Sequence, residues 1–161
     1  MPVLAAALKA RGLPAVQEDL SLALIRRLFS STFLRRALSH LARGPARRTP
    51  AVRHFLKRGE AIIGLIDAVV GFLLGDQPEL AYRIVTRTFL PEGPRFVPLD
   101  EQGLDESAAG PLVVHDRAKW LASLMLDDLA DMIHDGLDER FAFSRYAEHL
   151  AVSLPMLAPL A

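Results

Sequence analysis

Apolar residues recur along this chain at helical spacing, and the places where the stripe shifts or stops mark the elements. Between positions 20 and 43, Leu22, Leu24, Ile25, Leu28 and Phe29 share one face. Phe33, Leu34, Ala37, Leu38 and Leu41 share another, opposite Arg35, Arg36, Ser39 and Arg43. The phase changes at Ser30-Ser31-Thr32, whose hydroxyls compete with helical hydrogen bonding, so the pattern predicts two helices with a kink or short turn between them. Gly44-Pro45 stops the second. Thr49-Pro50 then offers an N-cap followed by proline at the first helical position. Val52, Phe55 and Leu56 give one apolar turn, and Gly59 is placed to end it.

The next segment, Glu60 to Leu74, is apolar at nearly every position. Gly64, Ala68, Gly71 and Gly75 fall on one narrow stripe with Glu60 and Asp67 beside it. The expectation is a helix buried almost all round, with its small residues letting another backbone come close. Asp67 on such a helix reads as a buried carboxylate, binding a cation or substrate group or pairing with an N-terminal arginine.

Asp76 to Glu79 has capping-box spacing and opens a helix carrying Leu80, Ala81, Ile84 and Val85 that ends before Pro91. The periodicity then dissolves: residues 91 to 111 hold 4 Pro and 3 Gly, with five acids against Arg95 alone, and predict a long irregular loop with Arg95 to Leu99 as a short extended piece. From Asp116 to Asp135 the stripe returns in Leu121, Ala122, Met125, Leu126, Leu129, Met132 and Ile133, closed by Gly136. A second helix from near Asp138, with Phe143, Tyr146, Ala147 and Leu150, completes an αα-hairpin before Pro155. The expected fold is therefore all-α: a compact bundle of about seven or eight helices in a single domain. Within it lie a basic helical region (1–58), buried core helices (59–89), an irregular acidic loop (90–115) and a C-terminal helical hairpin (116–154).

Composition changes this picture in one respect. The 161 residues carry 19 basic and 19 acidic side chains, but residues 1–58 hold 12 Lys or Arg against Glu18 and Asp19, a net of +10, and the remainder nets −10. The two halves either neutralise one another, within the fold or across a dimer, or the basic half serves a phosphate backbone or membrane surface. With no cysteine, a disulfide framework, a zinc finger and a thiol nucleophile are excluded. The longest apolar run, about 15 residues, is short of the ~20 needed to span a bilayer. The N-terminus lacks the charged region of a secretory signal, which leaves a cytoplasmic protein as the expectation, although the Arg-rich, acid-poor first 43 residues also suit an organellar transit segment.

The strongest candidate chemistry lies on the 116–135 helix, where Asp127, Asp131, His134 and Asp135 fall on one face with Asp128 at its border. Clustered carboxylates repel unless a divalent metal or arginines neutralise them. The string Asp127-Asp128-x-x-Asp131 resembles the aspartate-rich motif with which helical isoprenoid synthases hold magnesium and diphosphate, although no second such motif is present. Asp131-x-x-His134 is similar to the carboxylate-x-x-His element of di-metal bundles, without their second copy. The plainer reading is a solvated face or a docking strip for arginines. Trp120, the only tryptophan, sits among these acids and marks either a partner contact or a site covered by the 91–111 loop. No nucleophile elbow, phosphate loop or dinucleotide fingerprint is present.

Nothing here names a reaction, and the balance falls against an enzyme. The leading expectation is a non-catalytic interaction or assembly subunit, with a protein partner or homo-oligomer engaged through Trp120, Arg35, Arg36, Arg43, Arg47 and Arg48. A metal- or diphosphate-dependent enzyme using Asp127 to Asp135 is one alternative, with a divalent metal as cofactor. Nucleic-acid or membrane-surface binding through the arginines of 26–58 is the other.

Overall fold

In a computed structural model, which describes residues 2–15, 19–44, 48–102 and 111–143, the chain is all-α. Seven α-helices and one short 3-10 turn are present among the described residues, and no strand. They are α1 (Pro2–Ala10), α2 (Leu20–Leu28), α3 (Ser31–Arg43), α4 (Pro50–Leu74), α5 (Leu80–Val85), the 3-10 turn Pro94–Phe96, α6 (Val97–Gln102) and α7 (Pro111–Gly136). The central packing is α4 against α3 and α7, with α5 on α7. One buried cluster joins Phe29, Leu34, Leu41, Phe55, Ile66, Phe72, Phe96, Leu121 and Leu129. Each such side chain contributes about 1.5–3 kcal/mol by leaving water, which is why these few elements hold together.

The α2/α3 break falls where the hydroxyl cluster places it. Ser30 is the hinge: its hydroxyl donates to the Arg27 carbonyl at 2.8 Å, finishing α2, and accepts from the Phe33 N–H at 3.2 Å, starting α3. Thr49 caps α4 with Pro50 at its first turn. Gly75 ends it in the left-handed region at φ 92°, where the Asp76 N–H reaches back to the Gly71 carbonyl at 2.9 Å.

Four expectations are corrected. Gly59 does not stop a helix: α4 runs through it for 25 residues. The absent side chain serves packing instead, since a Cβ at 59 would lie 2.9 Å from a methyl of Leu38. With Ser31 meeting Asp67 further along, α3 and α4 run antiparallel in close contact. Next, the small-residue stripe is not a helix seam. Glu60, Ala61, Gly64 and Asp67 are exposed, and a Cβ at Gly64 would meet nothing within 4 Å. Burial is decided by the bulky faces carrying Ile62, Ile63, Ile66, Val69 and Phe72; of the stripe, Gly64 and Gly75 are left to solvent, Gly71 lies beside Gln77 and Ala68 is half-buried against the core.

Asp67 is accordingly not a buried carboxylate. It is an exposed cap on the neighbouring helix, accepting the Ser31 N–H at 2.9 Å and the Ser31 hydroxyl at 2.5 Å, where the start of α3 leaves amide groups unpaired. Finally, the 91–111 stretch is ordered over its first half. Pro94 opens a 3-10 turn that continues into α6, where an extended piece was expected, and Phe96 and Leu99 sit three apart on one buried face. A proline at a first helical turn costs no hydrogen bond, so its presence does not signal a loop.

α7 begins at Pro111, five residues earlier than the periodicity indicates, and buries the whole expected stripe. It ends at Gly136, where a Cβ would lie 2.8 Å from Leu41 and 3.2 Å from Val52. Phe143 stacks edge-on against Phe29 at 5.3 Å. Residues 138–143, where the hairpin's second helix was expected to begin, form a turn and irregular chain and no helix; the rest of that expected helix and residues 103–110 lie outside the described residues.

Candidate functional site

Two places collect the candidate side chains. The first is the face of α7 that carries Asp127 to Asp135. Its acids are not a solvated strip: Asp127 and Asp128 are both buried. Arg95, just before α6, divides the cluster. Its guanidinium grips Asp131 through two hydrogen bonds, both 2.9 Å, and its backbone N–H donates to Asp128 Oδ1 at 3.1 Å. His134 Nδ1 stands 2.9 Å from Asp135 Oδ1. Among the described residues no three His, Asp or Glu side chains are grouped as a metal ion requires.

Asp128 is the most perturbed group. Burial pushes its carboxyl up to about 7, against the pull of the Arg95 N–H and guanidinium. Its Oδ2 has no hydrogen-bond partner and lies against Gly93, where a Cβ would stand 2.2 Å from that oxygen and 3.1 Å from His54 Cδ2. His54 is held below its ordinary value by burial first, reinforced by Arg58 and Lys57, and its Nε2 lies 3.1 Å from the Pro91 carbonyl. A carboxyl raised by burial in a cleft is a common mark of a catalytic acid. Here, however, the gap among His54, Phe55, Pro91, Met125 and Asp128 is about 10 Å³, room for one water at most and for no substrate. Asp128 and Arg95 instead fasten the Gly93–Phe96 turn onto α7, doing for that turn what an N-cap does for a helix. Alongside, Arg95, Asp131, His134, Glu139 and Arg140 border an open hollow of about 470 Å³. Arg95 and Arg140 are already engaged there, the first by Asp131 and the second by Asp138.

The second place is a cleft of about 680 Å³ along the outer face of α3, lined by Ser31, Thr32, Arg35, Arg36, Ser39, His40, Arg43 and Gly44. Helical periodicity produces it: Leu34, Ala37 and Leu41 turn into the core, which delivers the cationic positions together to the opposite side. No acid occurs in α3. Arg36 and Arg43 make no ion pair with any described residue, and Arg35 reaches only Glu60, at 3.7 Å with both side chains well exposed. Such an exposed pair is worth at most about 1 kcal/mol.

The two charged halves therefore do not neutralise one another among the described residues. Ion pairs lie instead inside the acidic half: Arg87 with Glu92 at 2.6 Å, Arg95 with Asp131 and Arg140 with Asp138. The single bridge to the basic half is Arg35 to Glu60. Of the partner-binding residues expected from sequence, Arg35, Arg36 and Arg43 share one cleft. Arg48 is exposed beyond the end of α3, its carbonyl accepting from Arg53 at 2.7 Å. Trp120 lies partly exposed on α7 and does not line the cleft, and Arg47 is outside the described residues. Arg95, His54 and Gly93 escaped sequence reading because their roles depend on contacts some 30 or more positions away. Arg95 alone gave a signal, as the one cation in an acidic stretch.

No described helix is long and apolar enough to cross a membrane. Compared with models of known protein families, with curated proteins and with solved structures, the chain matches none.

Proposed function

We propose that this chain is a non-catalytic helical docking module that holds an anionic partner on the outer face of α3. The observation that carries the reading is that Arg36 and Arg43 stand without acidic partners among the described residues, in a cleft whose described lining holds no acid. Unspent arginines gathered on a fixed helix face are expensive to keep together and are the usual footprint of a surface for negative charge. The one strongly perturbed carboxyl, Asp128, supports the non-catalytic side of the reading, since it is walled into the α4–α7 seam with no room for a substrate.

Chromatography on immobilised heparin tests it. The wild-type chain is expected to be retained and to elute with salt, and the double charge reversal Arg36→Glu/Arg43→Glu to elute much earlier. A variant reversed on the acidic half, Lys119→Glu, should elute with the wild type. Co-elution of the α3 variant with wild type would sink the reading. Self-association remains part of the proposal through α2, where Leu20 and Leu24, one turn apart, stay 73% and 53% exposed. Native mass spectrometry of the wild type and of Leu24→Glu should show an oligomer that the substitution dissociates.

A further inference from the structure

We infer that the α3 cleft takes phosphates in series, the backbone of a nucleic acid, held by charge and without reading its bases; this rests on the reading of α3 as a surface for an anionic partner.

The arrangement of the cations sets the ligand class. Arg36, His40 and Arg43 follow one another at i, i+4 and i+7, with Arg35 and Ser39 running alongside. At 1.5 Å of rise per residue this is a row about 10 Å long, which suits a linear polyanion better than a single compact anion. Toward the N-terminus, Asp67 stands on Ser31 and repels negative charge, which defines that end of the row. The Ser31 and Ser39 hydroxyls donate to Asp67 and to the Arg35 carbonyl, so attraction falls to the guanidinium groups.

The lining also discriminates among polyanionic partners. An acidic protein surface that binds specifically brings an apolar or aromatic anchor to the centre of its interface, and the described lining of this cleft has no apolar pocket to receive one. A helix that lies on a membrane presents apolar side chains outward, whereas α3 sends its apolar side into the core. Among the described lining residues no Phe, Tyr or Trp offers a platform on which a base could stack, so binding follows backbone charge and salt.

The experiment uses the full chain and a short labelled single-stranded DNA, titrated by fluorescence anisotropy at several salt concentrations. Three arginines give a log–log slope of about −2, so affinity should fall about 20-fold between about 50 and 200 mM salt. Removing two contacts in Arg36→Ala/Arg43→Ala should weaken low-salt binding at least tenfold and reduce the salt effect below about tenfold. Circular dichroism on each variant checks that it is folded, and Lys119→Glu should bind as the wild type does. Unlabelled DNA of a different sequence, and inorganic polyphosphate matched in charge, should both compete. Poly-glutamate that competes equally well would overturn the phosphate inference while leaving anionic docking standing, and a failure to bind either polymer at low salt would overturn both. Binding to phosphatidylserine vesicles without binding to DNA would replace the strand with a membrane surface.

Discussion

Asp128 carries a pH dependence whose sign follows from its surroundings. Its carboxyl titrates near 7 in the folded chain and near 3.8 when unfolded, so between these values the native state keeps a proton that the unfolded chain has lost. Stability attributable to this group is therefore full at low pH and declines as pH rises through that window, by at most about 1.4 kcal/mol per pH unit for one proton. Asp128→Asn retains an oxygen to accept the Arg95 N–H and carries no charge at any pH. Urea unfolding across pH 4 to 8 should show the Asn variant gaining on the wild type until about pH 7, then running parallel to it. Two curves that stay parallel throughout would mean that the carboxyl ionises normally. The same contact makes Gly93 intolerant of a side chain. Gly93→Ala would drive a Cβ against Asp128 Oδ2, a buried atom with no path of retreat, and should cost about 1–3 kcal/mol by denaturation.

At the scale of elements, glycines test whether a helix face is open or closed. Gly64 lies inside α4 with nothing within 4 Å of where its Cβ would be, so Gly64→Ala should gain about 0.5–1 kcal/mol from helix propensity alone. Gly136 ends α7 against Leu41 and Val52, and Gly136→Ala should lose stability by overpacking. If both substitutions moved the midpoint in the same direction, the packing of α3, α4 and α7 described above would be wrong. These two glycines also show what was legible in the sequence. The break at Ser30, the Thr49-Pro50 start and the buried stripe of α7 were readable because each is fixed within a few residues, by a hydroxyl, a proline or a 3.6-residue period. Gly59 and the Gly64 stripe were misread because a helix interior glycine looks the same whether it admits Leu38 or faces water; the difference lies in a neighbour far along the chain. The Pro/Gly-rich stretch hid a turn and a helix for the same reason, since Phe96 gains its burial from a turn packed on α7 and α4. Of the site, α3's cationic row was legible as periodicity, whereas the Arg95 clamp on Asp128 and Asp131 was not.

Over the whole molecule, the separation of charge sets function against stability. Arg87, Arg95 and Arg140 each pair with an acid of their own half, and the basic face is left facing solvent, with Arg36 and Arg43 two turns apart along α3. Cations gathered on one face repel through the solvent between them, so the face is held together by the core beneath it, Leu34, Ala37 and Leu41, and not by its own interactions. A surface kept for a partner should then become more stable when its charge is removed and also when the partner arrives. Arg36→Glu/Arg43→Glu is expected to unfold at the same temperature as the wild type or slightly higher in low salt, despite losing retention on heparin. Heparin should raise the wild-type midpoint by several degrees and leave the variant unmoved, because a ligand that binds only the folded chain stabilises it in proportion to the logarithm of its concentration over Kd. Added salt should narrow the gap between the two proteins without heparin, since screening relieves the same repulsion that the substitution removes. A variant markedly less stable than wild type would instead place Arg36 and Arg43 among the groups that hold the fold, and the unneutralised face would lose its meaning as a docking surface.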